Sequence, residues 1–286
     1  MKSRIKNRLL LVIAICSLLA GTSCQYEEIV DIPYPESRIY LPIAVSGSIS
    51  TDGIYTIDEG ASTSWVSPTP GQPLKYTVER DNNAFIIPLG VYRSGTGKTI
   101  EGTANVSLAL NPDTVQQLIA SGTLAETELL PSEYVQQIPQ GVQIQDGEND
   151  SPFNLVIDLD FLRTDAPKKY ALGITISDTE NRVNEALNTG IILIDTRITV
   201  PQAAFSSQLE GSSFDTFVFT NSSLYWDFFS GDNAFAWDFG DGSTISHEIN
   251  PTHHYTVAGD YEVTLTVTGV TGETVSVTNT VSVKNN

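Results

Sequence analysis

The feature that most constrains this chain is the alternation of apolar and polar residues that begins near Arg38 and runs almost to the C-terminus. Ile39, Leu41 and Ile43 alternate with Tyr40, Pro42 and Ala44. Phe85, Ile87, Leu89 and Val91 repeat the pattern, as do Val106, Leu108 and Leu110. Phe153, Leu155, Ile157 and Leu159 follow, then Tyr170, Leu172, Ile174 and Ile176, and then the unbroken apolar run from Ile191 to Ile194. Successive side chains of a strand point to opposite faces, so a period of two describes strands with one buried face, and a solid run suits a strand buried on both. Pro42 and Pro88 cannot donate to a ladder, which places their strands at edges or bulges. The expected fold is all-β.

One helix interrupts this order. Asn111 can cap it, Pro112 fits its first turn, Val115, Leu118 and Ile119 share a face, and Gly122 can end it. A second helical turn near Asn184 to Leu187 has no evident cap. Around Thr196 to Gln202 the character changes, with Pro201 at the boundary. Beyond it Phe217 and Phe219, then Phe235, Trp237 and Phe239, then Tyr261, Val263, Leu265 and Val267, and finally Val275, Val277, Val281 and Val283 alternate inward. About seven short strands in roughly 85 residues is the pattern of an immunoglobulin-like sandwich. The expectation is two tandem β-sandwich domains, at 37–199 and 202–286, with one short helix in the first. The short linker, neither Gly- nor Ser-rich, implies limited hinge freedom.

Ahead of the strands, Lys2, Arg4, Lys6 and Arg8 precede an apolar stretch from Leu9 to Ala20 and then Gly21-Thr22-Ser23-Cys24. A basic start, a short apolar segment and small residues make a secretory signal, here 1–23, and the apolar part is short for a membrane span. The segment resembles a lipobox, which implies lipidation at Cys24, with Gly21 in place of the usual aliphatic residue. The alternative is a plain signal peptide cut near Ala20 or Ser23. Residues 24–36 then form a lipid-anchored linker whose Gln25-Tyr26-Glu27-Glu28 resembles the acidic tag that directs lipoproteins to the outer face in Bacteroides-like bacteria. With only Cys16 and Cys24 in the chain, a mature form beginning at Cys24 has no disulfide, and packed cores must supply its stability. The net charge is −19 and becomes more negative once the four leader cations are removed, a field that repels nucleic acid.

Two further stretches carry family resemblances. Trp237-Asp238-Phe239-Gly240-Asp241-Gly242-Ser243, Asn250-Pro251-Thr252-His253-His254-Tyr255 and Gly259-Asp260-Tyr261-Glu262-Val263 together resemble a PKD domain over about 202–284. Trp237 is then expected in the inter-sheet core, Asp241-Gly242 in a tight hairpin turn, and Gly259-Asp260 at the entry to the last long hairpin. Leu89-Gly90-Val91-Tyr92-Arg93-Ser94-Gly95, Leu129-Leu130-Pro131-Ser132-Glu133-Tyr134, Val142 to Gly147 and Lys169-Tyr170-Ala171-Leu172 resemble a family of N-terminal domains in surface lipoproteins of Bacteroides-type bacteria, over about 36–197. The resemblance implies a place beside polysaccharide-uptake genes. A PKD unit here replaces the carbohydrate-binding domain that many such proteins carry at the C-terminus.

Candidate chemistry is sparse. Ser94-Gly95-Thr96-Gly97-Lys98-Thr99 lacks the first glycine of a phosphate-binding loop, having Tyr92 there, and no helix follows. His253 and His254 are adjacent on a strand and point oppositely, and His247 lies apart, so no metal is expected on them. Asp238 with Asp241, and Asp146-Gly147-Glu148-Asn149-Asp150, lack calcium-loop spacing and read as turn formers. No Gly-x-Ser-x-Gly motif or Cys–His pair is present, so the expectation is a non-enzyme with no cofactor.

The remaining signal is aromatic. Leu224-Tyr225-Trp226-Asp227-Phe228-Phe229 precedes the Trp237 strand, and four aromatics in five residues cannot all enter one small core. Tyr225, Trp226, Phe228 and Phe229, with Trp65 as a weaker candidate, are therefore either a ligand-binding platform for sugar rings or a contact with the first domain. The expected function is a non-catalytic lipoprotein at the cell-surface face of the outer membrane that assists polysaccharide binding and uptake, in company with a glycan or other uptake proteins. The alternative is a structural spacer or adhesin that contacts proteins.

Overall fold

The computed structural model describes residues 36–46, 52–58, 74–95, 100–164, 166–180 and 182–284; the leader, Cys24 and Trp65 lie outside them. The alternating segments form strands in chain order β1 (Ile39–Tyr40), β2 (Ile54–Ile57), β3 (Thr77–Glu79), β4 (Ala84–Arg93), β5 (Ala104–Leu110), β6 (Glu128–Leu129), β7 (Val135–Gln137), β8 (Gly141–Ile144), β9 (Asp150–Asp158), β10 (Lys169–Asp178) and β11 (Thr189–Asp195). Helix α1 (Pro112–Ala120) follows β5, and helix α2 (Leu159–Thr164) follows β9. One sheet has the order β1-β4-β9-β7 with β3 also on β4, and the facing sheet has the order β2-β11-β10-β5-β8 with β6 also on β10. Phe85, Ile87, Leu89 and Val91 of β4 meet Val106, Leu172, Ile174, Ile192 and Ile194 of the second sheet in one core. Each such side chain removed from water contributes about 1.5–3 kcal/mol before the entropy of ordering is counted.

The solid run in β11 has a direct cause. Ile192 and Ile194 enter the sandwich, whereas Ile191 and Leu193 face the other way and pack with Val115, Leu118 and Ile119 of α1. Asn111 Oδ1 accepts the Thr114 N–H at 3.0 Å to start that helix, and its amide donates to Thr175 of β10. A Cβ at Gly173 would lie 2.6 Å from the Asn111 carbonyl, so glycine lets the helix start sit down on the sheet.

Several local expectations are corrected. Among its described residues the first domain holds two α-helices rather than one: Leu159 continues the apolar alternation, but Asp158 Oδ1 accepts the Phe161 N–H at 2.8 Å and turns the chain into α2. Leu159 and Leu162 are then buried at helical spacing. Pro42 opens a 3₁₀ turn, Pro42–Ala44, instead of extending β1, while Leu41 and Ile43 stay buried. Asn184 caps the turn Glu185–Leu187 by accepting the Ala186 N–H. Pro88 sits in β4 between the stretches paired with β3 and β1, and among the described residues no strand pairs with β4 on that side at Pro88.

The C-terminal sandwich has six named strands, β12 (Phe205–Leu209), β13 (Thr216–Asn221), β14 (Phe235–Asp238), β15 (Thr252–His254), β16 (Gly259–Thr268) and β17 (Thr274–Val283). They form two three-stranded sheets, β12-β13-β15 and β14-β16-β17. The core is aromatic, with Trp237 fully buried among Phe205, Phe219, Leu265 and Val281. The expected seventh strand is reduced to isolated bridges, Gln202 with Leu224 and Trp226 with Gly269.

The two sandwiches touch through the β16–β17 turn. Thr271 donates to the Thr199 carbonyl at 3.2 Å, and Arg163 of α2 pairs with Glu273 at 2.6 Å. Gly269 lies beneath Pro201, where a Cβ would come within 2.7 Å of the proline ring.

Candidate functional site

The segment from Leu224 to Phe229 divides its aromatics among three destinations. Leu224 exchanges two backbone hydrogen bonds with Gln202, and Asp227 N–H donates to Thr268 O at 2.8 Å, so the chain is held at both ends. Between them Tyr225 has a left-handed φ of 57°, which turns its ring onto the core of the N-terminal sandwich. Trp226 packs the other way, 5.0 Å from the Phe235 ring and against the C-terminal core. Phe228 and Phe229 open a 3₁₀ turn, Phe228–Ala234, and remain 42% and 45% exposed. Their ring centroids are 6.3 Å apart at 72°. Of the candidate residues, Tyr225 and Trp226 are thus absorbed in packing, Phe228 and Phe229 are presented to solvent, and Trp65 is outside the described residues.

Asp227 organises the turn. It is 2% exposed; Oδ1 accepts the Phe229 N–H, and Oδ2 accepts from the Ser230 hydroxyl and from the Arg80 guanidinium. Arg80 also donates to the carbonyls of Val270 at 2.8 Å and Gly269 at 3.2 Å. Sequence reasoning missed Arg80, since nothing local marks a partner 147 residues away. Beside this pair opens a cleft of about 340 Å³, lined by Val78, Arg80, Asp81, Asp227, Phe229, Ser230 and Val270. It offers an aromatic ring next to guanidinium, carboxylate and hydroxyl groups, a combination suited to a polyhydroxylated molecule with an apolar face.

The far end of the C-terminal sandwich is built from the sequence signature. Asp238 Oδ1 accepts the Gly240 N–H at 2.9 Å, and Asp241 Oδ1 accepts the Ser243 N–H at 3.0 Å. Gly240 has φ 76°, and a Cβ there would meet the Glu262 carbonyl at 2.6 Å. Asp241 Oδ2 lies 2.8 Å from His253 Nε2, and the His253 ring stacks on Phe239 at 3.9 Å. Trp237 donates to Glu248 O and Tyr255 to Phe239 O, so the buried polar atoms are satisfied. The Asp241-Gly242 turn differs from the expected tight hairpin. Trp237 re-pairs only at Ser246, and β15 then joins the opposite sheet, so the signature loop crosses between sheets.

Residues 211–284 match the PKD domain family model. The C-terminal sandwich is a PKD domain. In it the partnered oxygens of Asp238 and Asp241 are spent on turn geometry or on His253. Residues 61–183 match a second family model, described as an N-terminal domain. Among curated proteins, a pre-pro-metalloprotease of Vibrio cholerae is 27% identical over 225 residues, 77% of this chain, and the chain spans 22% of that relative's length. Among solved structures, the PKD1 domain of the Vibrio cholerae metalloprotease PrtV is 38% identical, with TM-score 0.25, covering 30% of this chain and 98% of that one. An auxiliary nutrient binding protein from Bacteroides thetaiotaomicron is 15% identical with TM-score 0.37, covering 77% of this chain and 73% of that one.

Burial alone would raise the Asp241 carboxyl, but the hydrogen bonds from Ser243 and His253 outweigh it and hold the group at about 2. A carboxyl depressed in the folded state stabilises the fold above its unfolded value, and that stabilisation is lost as pH falls through the folded one. Asp241→Asn should therefore flatten the acid limb of PKD-domain stability between about pH 4 and 2, by about 1 kcal/mol after allowance for solvent screening, as followed by fluorescence of buried Trp237 during acid titration.

Other candidates resolve into structural roles. His253 and His254 point apart, to Asp241 and Asp215 respectively, while His247 Nδ1 lies at the Phe235 carbonyl. The Asp146–Asp150 stretch packs beside the guanidinium of Arg93. Arg93, 3% exposed, donates to the carbonyls of Gly102, Gln145 and Glu148, while Asp146 accepts the Gly102 N–H. Of the glycine-rich stretch, Ser94 and Gly95 are described, and they accept from Arg38 N–H and the Asn149 amide; residues 96–99 lie outside the described residues. Among the described residues no group of three or more His, Cys, Asp or Glu side chains is placed to hold a metal ion. A second polar basin of about 310 Å³ near Lys168, Lys169 and Arg197 is neutralised from within, by Glu128 on Lys168 and Asp195 on Arg197.

Proposed function

We propose that this chain is a non-catalytic lipoprotein of the outer membrane, facing the cell exterior, that captures polysaccharide at the cleft beside Phe229. The observation that carries the reading is the placement of Phe228 and Phe229. Two large apolar rings stay half-exposed although Tyr225 and Trp226 of the same short segment reach two cores, and Phe229, with Phe228 edge-on beside it, lines a cleft with guanidinium, carboxylate and hydroxyl donors and acceptors. A sugar ring presents apolar C–H faces and a rim of hydroxyls, and these two kinds of surface answer both. The role is holding rather than cleaving: of the two carboxylates that line the cleft, Asp227 is committed to Arg80, Ser230 and the Phe229 N–H, which leaves Asp81 without a free carboxylate partner there. The acidic charge of the chain favours neutral or cationic glycans over polyanionic ones. Affinity electrophoresis of the protein through gels cast with individual neutral polysaccharides tests the reading: retardation by at least one supports it, and identical mobility in all of them counts against it.

Attachment at Cys24 rests on the leader that precedes it, and the anchor would bring the cleft to other uptake proteins in the same membrane. Metabolic labelling with a radiolabelled fatty acid should mark the full chain and fail to mark Cys24→Ser. Equal label in both removes the anchor from the account.

A further inference from the structure

The last strand of the PKD domain carries a symmetry that its fold does not use. Val275-Ser276-Val277-Thr278-Asn279-Thr280-Val281-Ser282-Val283 reads the same in both directions about Asn279. This stretch is nearly all of β17, a ten-residue strand at the edge of the sheet β14-β16-β17. Its pairing with β16 is continuous from Thr274 to Val283, with no bulge. Among the described residues its backbone makes no hydrogen bond to any other segment. Long edge strands are ordinarily protected by a charge, a proline, a bulge or a covering element, because their free N–H and C=O groups pair with other strands. In a chain of net charge −19, β17 has no charge and no proline.

We propose that β17 pairs with β17 of a second copy of this chain, antiparallel and about a two-fold axis at Asn279. In that register Val275 of one copy lies opposite Val283 of the other, Ser276 opposite Ser282, Val277 opposite Val281 and Thr278 opposite Thr280. Like therefore meets like at every position, in the same-type Thr, Ser and Val pairs that stabilise antiparallel ladders. The parity also agrees. Odd-numbered residues, with buried Val281 and Val283 among them, face the core in both copies, and even-numbered hydroxyl residues face solvent. On the solvent side the existing hydroxyl contacts, Thr264 with Thr278 at 2.9 Å and Thr266 with Ser276 at 2.8 Å, continue across the axis as one ladder. Asn279, whose amide donates only at 3.4 Å to Phe205 O, meets its own counterpart and supplies a donor and an acceptor to it.

The flanking charges point to the same partner. Glu273 precedes the strand and Lys284 follows it, so an antiparallel second copy brings Lys284 of each chain beside Glu273 of the other. A heterologous strand would gain nothing from the palindrome, and a parallel copy would set Lys284 against Lys284. The result is a continuous six-stranded sheet through two PKD domains, closed by symmetry. One strand pair is a small contact, in the size class of weak and transient association. The inference is independent of what the Phe229 cleft binds.

Single cysteines in the full chain test the register directly, with the unsubstituted chain measuring the background from Cys16 and Cys24. Under mild oxidation Asn279→Cys should give about tenfold more covalent dimer than Ser276→Cys or Ser282→Cys alone, because only position 279 meets itself across the axis while each of the others is roughly 20 Å from its own copy. Mixing Ser276→Cys with Ser282→Cys should restore cross-linking. Adding Thr278→Lys and Thr280→Lys, both on the solvent face, should abolish the Asn279→Cys dimer while leaving the melting temperature in place. Dimer yields at background for Asn279→Cys, equal yields for all three single cysteines, or a yield indifferent to the paired lysines would each overturn the proposal.

Discussion

Replacing Arg80 with Ala is expected to lower the unfolding midpoint by roughly 5–10 °C, from a loss of about 2–3 kcal/mol. The reason is an asymmetry at the contact between the sandwiches. Asp227 is almost wholly buried in the PKD domain, whereas the Arg80 side chain from the N-terminal sandwich is 41% exposed. Removing the arginine leaves a buried carboxylate with only the Ser230 hydroxyl and the Phe229 N–H, and frees the carbonyls of Gly269 and Val270. An ion pair between exposed side chains would contribute far less. Arg80→Lys should recover little, because a point-like ammonium cannot serve a carboxylate and two carbonyls as a planar fork does. Calorimetry of the three proteins checks this, and a midpoint unchanged in Arg80→Ala would mean that the contact is held by Thr271, Arg163 and Pro201 instead.

The same contact explains which parts of the chain were readable in advance. The alternation in β5, β16 and β17 marks strands because one face of each is buried and the other is largely open, and the sequence records that difference directly; in β4 and β10 the second face is covered too, by small or proline residues such as Pro88, Gly90, Ala171 and Gly173, so the large apolar side chains still alternate. At Leu159 the alternation misled: an apolar residue two positions after Ile157 also suits the first turn of a helix, and the deciding interaction is the local Asp158 cap. Pro42 was ambiguous for a related reason, since Leu41 and Ile43 are buried in a 3₁₀ turn as they would be in a strand. The apolar run of β11 promised burial on both faces but could not name α1 as the cover.

The aromatic segment was visible as an excess over what one core can hold, and its division was not. Tyr225 and Trp226 are neighbours of similar character, yet the positive φ at Tyr225 sends them into different cores. Arg80 could not be found at all, because ion pairs between distant segments leave no periodic trace. The PKD signature was the opposite case. Its aspartates, glycines and His253 act on one another within a short loop and the adjacent strand, so the resemblance to a PKD domain could be carried by residues close in sequence, although the course of the Asp241-Gly242 turn could not. The palindrome of β17 is likewise plain in the sequence, but it acquires meaning only because β17 is an edge strand.

The second large effect concerns the cleft itself. Phe228 and Phe229 are half-exposed and belong to neither core, so truncating them removes little core packing, and Phe228→Ala/Phe229→Ala should keep the melting temperature within about 2 °C of the parent. Trp226→Ala is the contrasting control: its ring packs on Phe235, and its loss should destabilise the PKD domain by about 2–3 kcal/mol. The measurement that bears most directly on the account is therefore retention of the double variant in a polysaccharide gel that retards the parent. Binding at the Phe229 cleft requires apparent affinity to fall about tenfold or more, equivalent to about 1.4 kcal/mol, with the midpoint of unfolding in place. Retention equal to that of the parent, in a double variant that melts normally, would contradict glycan capture at this site and leave a spacer or protein-contact role for the chain.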